Sequence, residues 1–167
     1  ALWARMDRIA GDEQVRLHLI AADEVLNIGH RAATIGVRNH RPTAPTLAGR
    51  KIGPVSFAVY ARDHTVTRWA QVLGPTPSAQ WVRAQTEAPS MLEVSHPRNA
   101  LDLARAGLAR VVLPTFVGET EQNLVRLGPP IAELEHEQWL VTHHEDRHIP
   151  EIRAVINRTF PILSAIC

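Results

Sequence analysis

LARAGLARVVLP, residues 103–114, joins the end of a helix to a short apolar strand. A helix is predicted over residues 97–108, because its apolar positions recur at helical spacing and Pro97 suits the first helical position. Residues 111–113 are apolar throughout and Pro114 closes them, which is typical of a buried strand. The segment therefore predicts a helix that leads directly into the core of a sheet.

Upstream, the pattern predicts a strand, a short helix and a second strand. Apolar residues dominate residues 15–21 and residues 33–37, and residues 24–30 between them have helical spacing after the N-cap candidate Asp23. This order argues for a parallel pair of strands joined by a crossover helix. Residues 38–54 are rich in Arg, Pro, Gly and Thr and predict a connecting loop.

The rest of the chain continues the alternation of strands and helices. Strands are predicted at residues 55–61, 80–83, 91–94 and 138–142, and helices at residues 65–73 and 150–160. Pro161 is expected to end or kink the last helix. The alternation indicates an α/β protein.

Composition sets limits on function. The chain has 167 residues, 45% of them hydrophobic, which excludes wholesale disorder. No apolar run approaches the ~18 residues that a membrane span requires. Eighteen basic against seventeen acidic residues give a net charge of +1, without the basic excess of a free-standing nucleic-acid binder.

The sequence lacks the usual signatures of catalysis and of metal binding. It has no G-x-S-x-G elbow, no P-loop and no G-x-G-x-x-G, and its single cysteine is the last residue, Cys167. His144 and His148 have the i, i+4 spacing of zinc ligands, but they lie in a predicted loop without H-E-x-x-H. We therefore expect no enzyme, no cofactor and no metal.

Four segments, in the correct order, resemble the effector-binding domain of LysR-type transcriptional regulators. Residues 106–114 resemble its A-G-x-G followed by a strand and Pro, and residues 138–143, QWLVTH, resemble its L-W-L-V-T-H. Residues 152–156 and 33–38 resemble its V-R-A helix and its A-D-I strand. Thr34 stands where an acidic residue is usual, and Ala109 where a second glycine is usual.

The resemblance implies a two-lobed α/β domain like the type II periplasmic binding proteins, incomplete at the N-terminus. The first lobe would be residues 1–53 with 133–167, and the second residues 54–132. Residues 2–9 have helical spacing from the outset, so the chain reads as a fragment that lacks the family's first strand. Direct pairing of the strands at 15–21 and 33–37 would contradict that missing strand.

The resemblance also implies a function. The domain would sense a small metabolite, often a carboxylate or an aromatic compound, between its lobes in the bacterial cytoplasm. It would form homodimers or homotetramers, residues 2–9 packing on the partner's residues 97–108, and would reach DNA only through an upstream helix-turn-helix. No membrane partner is expected. The alternative is a two-lobed solute-binding protein without a role at DNA.

Ser95 and His96 are ligand candidates because they precede the helix at Pro97. The first backbone N–H groups and the positive dipole end of that helix could hold an anion. The alternative is that one of the two side chains simply caps the helix.

Three further residues are ligand candidates. Arg38 ends a strand where the resemblance places the cleft, and its guanidinium could clamp a carboxylate or pair with a structural acid. Asp23 faces the same expected cleft, with capping as the alternative, and Arg83 follows a predicted strand, with a solvated surface position as the alternative. We expect Arg38 to approach His96 across the cleft.

Overall fold

The computed structural model describes residues 5–11, 16–20, 27–28, 33–85 and 91–166. The chain divides into two compact units. Unit 1 is Ala1–Pro54 with His136–Cys167, and unit 2 is Val55–Glu135.

The helices and strands alternate along much of the described chain. In order they are α1 (Met6–Ala10), β1 (Ile35–Arg38), β2 (Leu47–Val55), β3 (Phe57–Ala61), β4 (Trp69–Val72), α2 (Pro77–Gln85), β5 (Met91–Val94), α3 (Pro97–Arg105), β6 (Val111–Pro114), α4 (Thr115–Gly118), β7 (Val125–Arg126), β8 (His136–His143) and α5 (Pro150–Ser164). Short 3-10 turns lie at Ala132–Leu134 and Asp146–His148.

The sheet of unit 2 has a parallel part and an antiparallel part. β4 and β5 pair in parallel, with Trp69 opposite Met91 and Val72 opposite Val94. A parallel bridge joins Trp69 to Arg110, directly before β6. β6 and β7 each pair antiparallel with β3. The bridge therefore places the start of β6 beside β4 and links the two parts.

The helices α2 and α3 cover opposite faces of β4. Ala70 belongs to a buried cluster with Ala100 and Leu101 of α3. Its neighbour Gln71 donates a hydrogen bond from Nε2 to the carbonyl oxygen of Ala79 in α2, at 3.1 Å. Because successive strand residues point to opposite faces, these contacts assign one helix to each face.

The turn after α3 explains why LARAGLARVVLP directs the chain into the core. The Leu108 N–H donates to the Leu103 carbonyl and the Gly107 N–H to the Ala104 carbonyl, at 3.0 and 2.9 Å, which is a Schellman helix end. Gly107 has φ +74°, a conformation that favours glycine. Ala109, the departure from the A-G-x-G pattern, is fully buried, so this turn forms without a second glycine.

Unit 1 has a three-stranded sheet in the order β1-β8-β2. β1 and β8 are antiparallel, with Ile35 opposite Thr142 and Arg38 opposite Trp139. Arg158 of α5 donates to the carbonyl oxygens of Ile9 and Ala10 at 2.8 and 3.0 Å, which fixes the end of α1 on α5.

Several predicted elements agree with the structure. The strands predicted at 91–94, 111–113 and 138–142 are confirmed as β5, β6 and β8, and the strand at 33–37 as β1, which begins two residues later. The helix predicted from Pro97 is confirmed as α3, although it ends at Arg105 because Gly107 turns the chain.

Two predictions in unit 2 were wrong. Residues 65–73 contain β4 rather than a helix, because a parallel ladder to β5 satisfies the backbone of Trp69–Val72. Residues 80–83 lie in α2 rather than in a strand. Pro77 opens that helix and the Thr76 hydroxyl accepts a hydrogen bond from the Ala79 N–H at 3.3 Å, so the helix has a capped start.

Two predictions for the first half of unit 1 were also wrong. The predicted loop at 38–54 contains β2, whose sheet partner β8 is far away in sequence. β1 pairs antiparallel with β8, so the expected parallel pair is absent from the described residues. In the predicted strand at 15–21, residues 16–20 are described and have no regular structure, with Ile20 50% exposed. No direct pairing of that segment with β1 is therefore seen in the described chain.

The last helix also differs from its prediction. α5 runs through Pro161 to Ser164. Proline removes one helical hydrogen bond, to the carbonyl of Asn157, but the following residues Ile162 and Leu163 are buried and hold the last turn in place. Of the predicted helix at 24–30 only residues 27–28 are described, and Asp23 lies outside the described residues.

Candidate functional site

The carboxyl edge of β4 and β5 is the candidate functional site. The two strands end side by side, where the Leu73 N–H donates to the Val94 carbonyl at 2.8 Å. From this edge one connection leads to α2 on one face of the sheet and the next leads to α3 on the other face. Such a divergence is a topological switch point, where open α/β sheets bind their ligands.

Ser95 and His96 lie at this switch point, as the connection between β5 and α3. Both side chains are exposed. His96 is the N-cap residue with extended backbone, φ −131° and ψ 143°, and within the described part of the chain its side chain makes no capping hydrogen bond. The alternative in which His96 simply caps the helix is therefore not what the structure shows. The positive end of the α3 dipole lies next to two exposed polar side chains.

The connection after β4 forms the other side of the switch point. Arg83 was predicted to follow a strand, but it lies in α2, where its guanidinium donates to the Gly74 carbonyl at 2.6 Å. Gln80 donates from Nε2 to the Pro75 carbonyl at 3.1 Å. Both side chains thereby tie the Gly74–Pro75 turn to the helix that follows it. Arg83 is exposed, and its part in ligand binding stays a prediction.

Sequence reasoning missed Gln71, a buried polar residue one step from the end of β4. The residue is 1% exposed, and Nε2 donates to the carbonyls of Ala79 and Val72. Among the described residues, Oε1 has no hydrogen-bond partner. The sequence pattern predicts a helix over residues 65–73, so Gln71 did not stand out. In a buried strand, a polar side chain at this position is unusual and would indicate a candidate functional residue.

Arg38 lies in unit 1 at the carboxyl end of β1, where the sequence predicted it. It is partly buried and stands directly opposite Trp139 on β8. The guanidinium carbon of Arg41 lies 5.7 Å from the centre of the same indole ring. Gly49 gives that indole room, since a Cβ there would lie 2.6 Å from Pro42 and 3.4 Å from Trp139. This strand end therefore combines cationic and aromatic side chains, and its approach to His96 stays a prediction.

The histidines near residue 145 make local contacts. His144 Nδ1 lies 3.1 Å from the Thr46 carbonyl, and His148 Nε2 accepts a hydrogen bond from Arg147 Nε at 3.1 Å. In the described ranges, no three His, Cys, Asp or Glu side chains are grouped so that they could hold a metal ion. None of the described helices has the length and apolar character needed to cross a bilayer.

Comparison with known proteins gives a fold. No model of a known protein family matches the sequence, and no curated protein sequence matches it. The solved effector binding domain from Citrobacter freundii is similar at a TM-score of 0.66 and 11% identity, over 97% of this chain and 91% of that one. A probable transcriptional regulator from Pseudomonas aeruginosa is similar at 0.62 and 16% identity, over 85% of this chain and 56% of that one.

Two further structures place this fold among LysR regulators. The effector binding domain of a BenM variant gives a TM-score of 0.57 at 12% identity, over 83% of this chain and 74% of that one. CbnR, a LysR family transcriptional regulator, gives 0.53 at 13% identity over 78% of this chain. The chain spans about half the length of CbnR, at 53%. The molecule thus has the fold of LysR-type effector-binding domains, which are periplasmic-binding-protein-like.

Proposed function

We propose that this chain is the effector-sensing and oligomerising domain of a bacterial LysR-type regulator that acts in the cytoplasm. Its ligand is a small anionic or aromatic metabolite, for which Ser95 and His96 of unit 2 and Arg38 of unit 1 are the candidate binding residues. Contact with DNA belongs to a helix-turn-helix domain outside these 167 residues. The chain itself is a sensor and performs no catalysis.

The observation that supports this proposal most directly is the switch point at the carboxyl edge of β4 and β5. An exposed serine and histidine there precede a helix whose N-cap side chain makes no capping bond within the described chain. A carboxylate can accept hydrogen bonds from such a helix start and from both side chains. The edge therefore offers groups for the recognition of an anion.

The similar structures support the sensing role. One of them is the full-length regulator LysG from Corynebacterium glutamicum with bound effector arginine, similar at a TM-score of 0.56 and 14% identity. Another is CbnR in complex with its target DNA, at 0.54 and 12% identity. A sensor of this kind transmits a signal only when the ligand has different affinities for two arrangements of the assembly.

Titration calorimetry tests the binding proposal on the 167-residue chain. The probes are sodium benzoate, sodium acetate and L-arginine, and the variants are Ser95→Ala, His96→Ala and Arg38→Gln. We expect at least one probe to bind, and His96→Ala and Arg38→Gln each to weaken it about tenfold, the loss of one charge-assisted contact. The matched control is His64→Ala, an exposed histidine of unit 2 in the turn after β3. Equal affinity in all variants contradicts the assignment of these residues.

Light scattering tests the oligomerising role. The interface expected from residues 2–9 and 97–108 includes α1 and α3, and Leu108 directly after α3 is 53% exposed. A twofold interface would reuse the same patch on both copies. We expect a dimer or tetramer at tens of micromolar, and Leu108→Glu to shift it to monomer. A monomer before substitution contradicts the interface.

A further inference from the structure

The opposite, amino-terminal edge of the parallel strands has an arginine stacked on one tryptophan, which in turn contacts a second. The guanidinium carbon of Arg110 lies 4.1 Å from the centre of the Trp69 ring. Trp69 meets Trp81 of α2 edge to face, with ring centres 5.9 Å apart and planes at 73°. A cation over an indole face is attracted by the ring's quadrupole, so these three side chains form one unit.

The charge of Arg110 has no anionic partner in the described part of the chain. Among the described residues no carboxylate pairs with it, and its Nε is enclosed without a hydrogen-bond acceptor. Desolvation by burial lowers the pKa of its guanidinium. Arg105, by contrast, donates to both carboxylate oxygens of Glu121 at 2.7 and 2.8 Å. Enclosed donors without acceptors are uncommon in folded proteins and are unfavourable.

A second enclosed donor lies in the same cluster. Trp69 is 5% exposed, and within the described chain its indole Nε1 has no acceptor. Trp81 is only partly buried and gives the cluster an apolar wall that solvent reaches. Because both unmet donors are enclosed, a ligand would reach the cluster through the partly exposed guanidinium of Arg110 and the partly exposed ring of Trp81. These two groups match a ligand with an acceptor at one end and an apolar body.

The backbone holds Arg110 in place before any ligand arrives. Its N–H donates to the Arg68 carbonyl at 2.8 Å, and its carbonyl accepts from the Ala70 N–H at 2.9 Å. The preceding residue, Ala109, is fully buried. The root of the side chain is therefore fixed on both sides, which reduces the ordering that binding requires.

We propose that Arg110, Trp69 and Trp81 form a second ligand site, for a small carboxylate with an apolar body. The guanidinium fork would take the carboxylate and Trp81 would contact the body of the ligand. β4 separates this site from the switch point by three residue steps, about 10 Å at ~3.3 Å per residue. The inference does not rest on the proposed function, since it uses other residues at the other end of the strands.

Tryptophan indole N–H resonances of the ¹⁵N-labelled 167-residue chain test the site, with sodium benzoate as the probe. Sodium acetate and benzyl alcohol are the comparison probes, one without an apolar body and one without charge. We expect saturable shifts of the Trp69 and Trp81 signals with benzoate, and at least fivefold weaker responses to the other two. The absence of a saturable shift at Trp69 up to 50 mM benzoate (roughly the weakest specific affinity of interest) would overturn the proposal.

Variants assign the response to its residues. Arg110→Gln is expected to weaken benzoate binding at least tenfold and Arg110→Lys less, since lysine keeps the charge but loses the fork. Arg68→Gln is the control, because Arg68 is an exposed neighbour at the same edge. The folded state of each variant is checked by the dispersion of its amide signals. If His96→Ala abolishes the response and Arg110→Gln leaves it intact, the benzoate binds at the switch point and the second site is refuted.

Discussion

Unit 2 and unit 1 organise their cores differently. Among the described residues of unit 2, a cluster of ten buried residues lies between the sheet and α3. In the described residues of unit 1, two clusters of three buried residues each lie against α5, with Ile35 at the margin of both. Truncation of a side chain in a large close-packed cluster leaves a large cavity, because its neighbours are held by their other contacts and cannot move into the gap. The same truncation in a small cluster costs less stability.

The difference indicates that elements adjacent in the chain favour a larger shared cluster. β4, α2, β5, α3 and β6 follow one another in the chain and in space. β1 of unit 1 instead finds β8, which lies beyond the whole of unit 2 in sequence. Substitutions matched between the two units test this difference.

The largest expected effect is a truncation in each core. Leu113→Ala in unit 2 should lower the free energy of unfolding by about 3–5 kcal/mol, and Leu163→Ala in unit 1 by about 2–3 kcal/mol, because Leu163 belongs to a smaller cluster and is itself 8% exposed. Urea denaturation measures both, and hydrogen exchange assigns the loss to its unit. The control is Leu73→Ala, an exposed leucine expected within about 0.5 kcal/mol of the parent. Equal losses of unfolding free energy in the two variants would show that the two cores respond alike to truncation.

The second effect concerns close packing in unit 2. A Cβ on Gly118 would overlap the ring of Tyr60, which is 1% exposed and cannot move outward freely. Gly118→Ala should destabilise by about 1–3 kcal/mol through overpacking. Gly128→Ala is the matched control, since its Cβ would meet no atom within 4 Å. A thermal melt in which the two variants coincide would show that the Tyr60 site is loosely packed.

A smaller effect is expected at the Schellman turn. Gly107 has φ +74°, and a Cβ would lie 3.0 Å from the Cδ of Arg62. Gly107→Ala should cost about 1–2 kcal/mol of backbone strain. Gly107→Asn should recover part of it, because asparagine tolerates the left-handed region better than alanine. Urea midpoints for the pair measure the strain, and an asparagine variant no better than alanine would point to the Arg62 contact instead.

The smallest effect is electrostatic and depends on pH. The Arg105 guanidinium, which binds both oxygens of the Glu121 carboxylate, holds the pKa of Glu121 below its usual value. Since the folded pKa is below the unfolded one, the stabilisation is present above the unfolded pKa, ~4.3. It is lost as pH falls through the folded value. Glu121→Gln should therefore lower the melting temperature at pH 7 and flatten its fall below pH 5.

Glu137 of unit 1 supplies the matched comparison for that carboxylate. It pairs with Lys51 on β2, but both side chains are about half exposed, at 49% and 51%. Exposed ion pairs contribute little and are screened by salt. Glu137→Gln should leave both the melting temperature and its pH profile nearly unchanged. The expectation is contradicted if Glu137→Gln changes the fall of the melting temperature in acid more than Glu121→Gln does.

The sequence predicted the parts of the fold that local chemistry determines. The Pro97 helix start, the Gly107 turn and the apolar strand up to Pro114 have signals within a few residues of the structure they cause. The similar solved structures support the effector-domain fold that these motifs implied. Ser95 and His96 were singled out because a strand end followed by a helix start is also a local pattern, and their role in ligand binding stays a prediction.

The wrong predictions of secondary structure concern strands whose sheet partners lie elsewhere in the sequence. β4 reads as a helix until β5 supplies a parallel ladder, and β2 reads as a loop until β8 supplies its neighbour. Gln71 and the Arg110–Trp69 contact were missed for the same reason, because their burial and their contacts depend on elements that are distant in sequence. Propensity is a weak prior that such tertiary partners override.

The β1–β8 pairing has a consequence for the order of folding. Ile35 meets Thr142 only after the intervening chain has been closed into a loop, whereas the pairing of β3 with β6, in which Tyr60 lies opposite Val111, closes a loop about half as long. Distant pairings are slow because the entropy of loop closure opposes them, and on the ribosome β8 emerges after Val55–Glu135 is already synthesised. We therefore expect unit 2 to fold first and to draw the ends of its own segment together. Unit 1 then closes as a late event, so its amides should gain protection last in pulse-labelled hydrogen exchange during refolding.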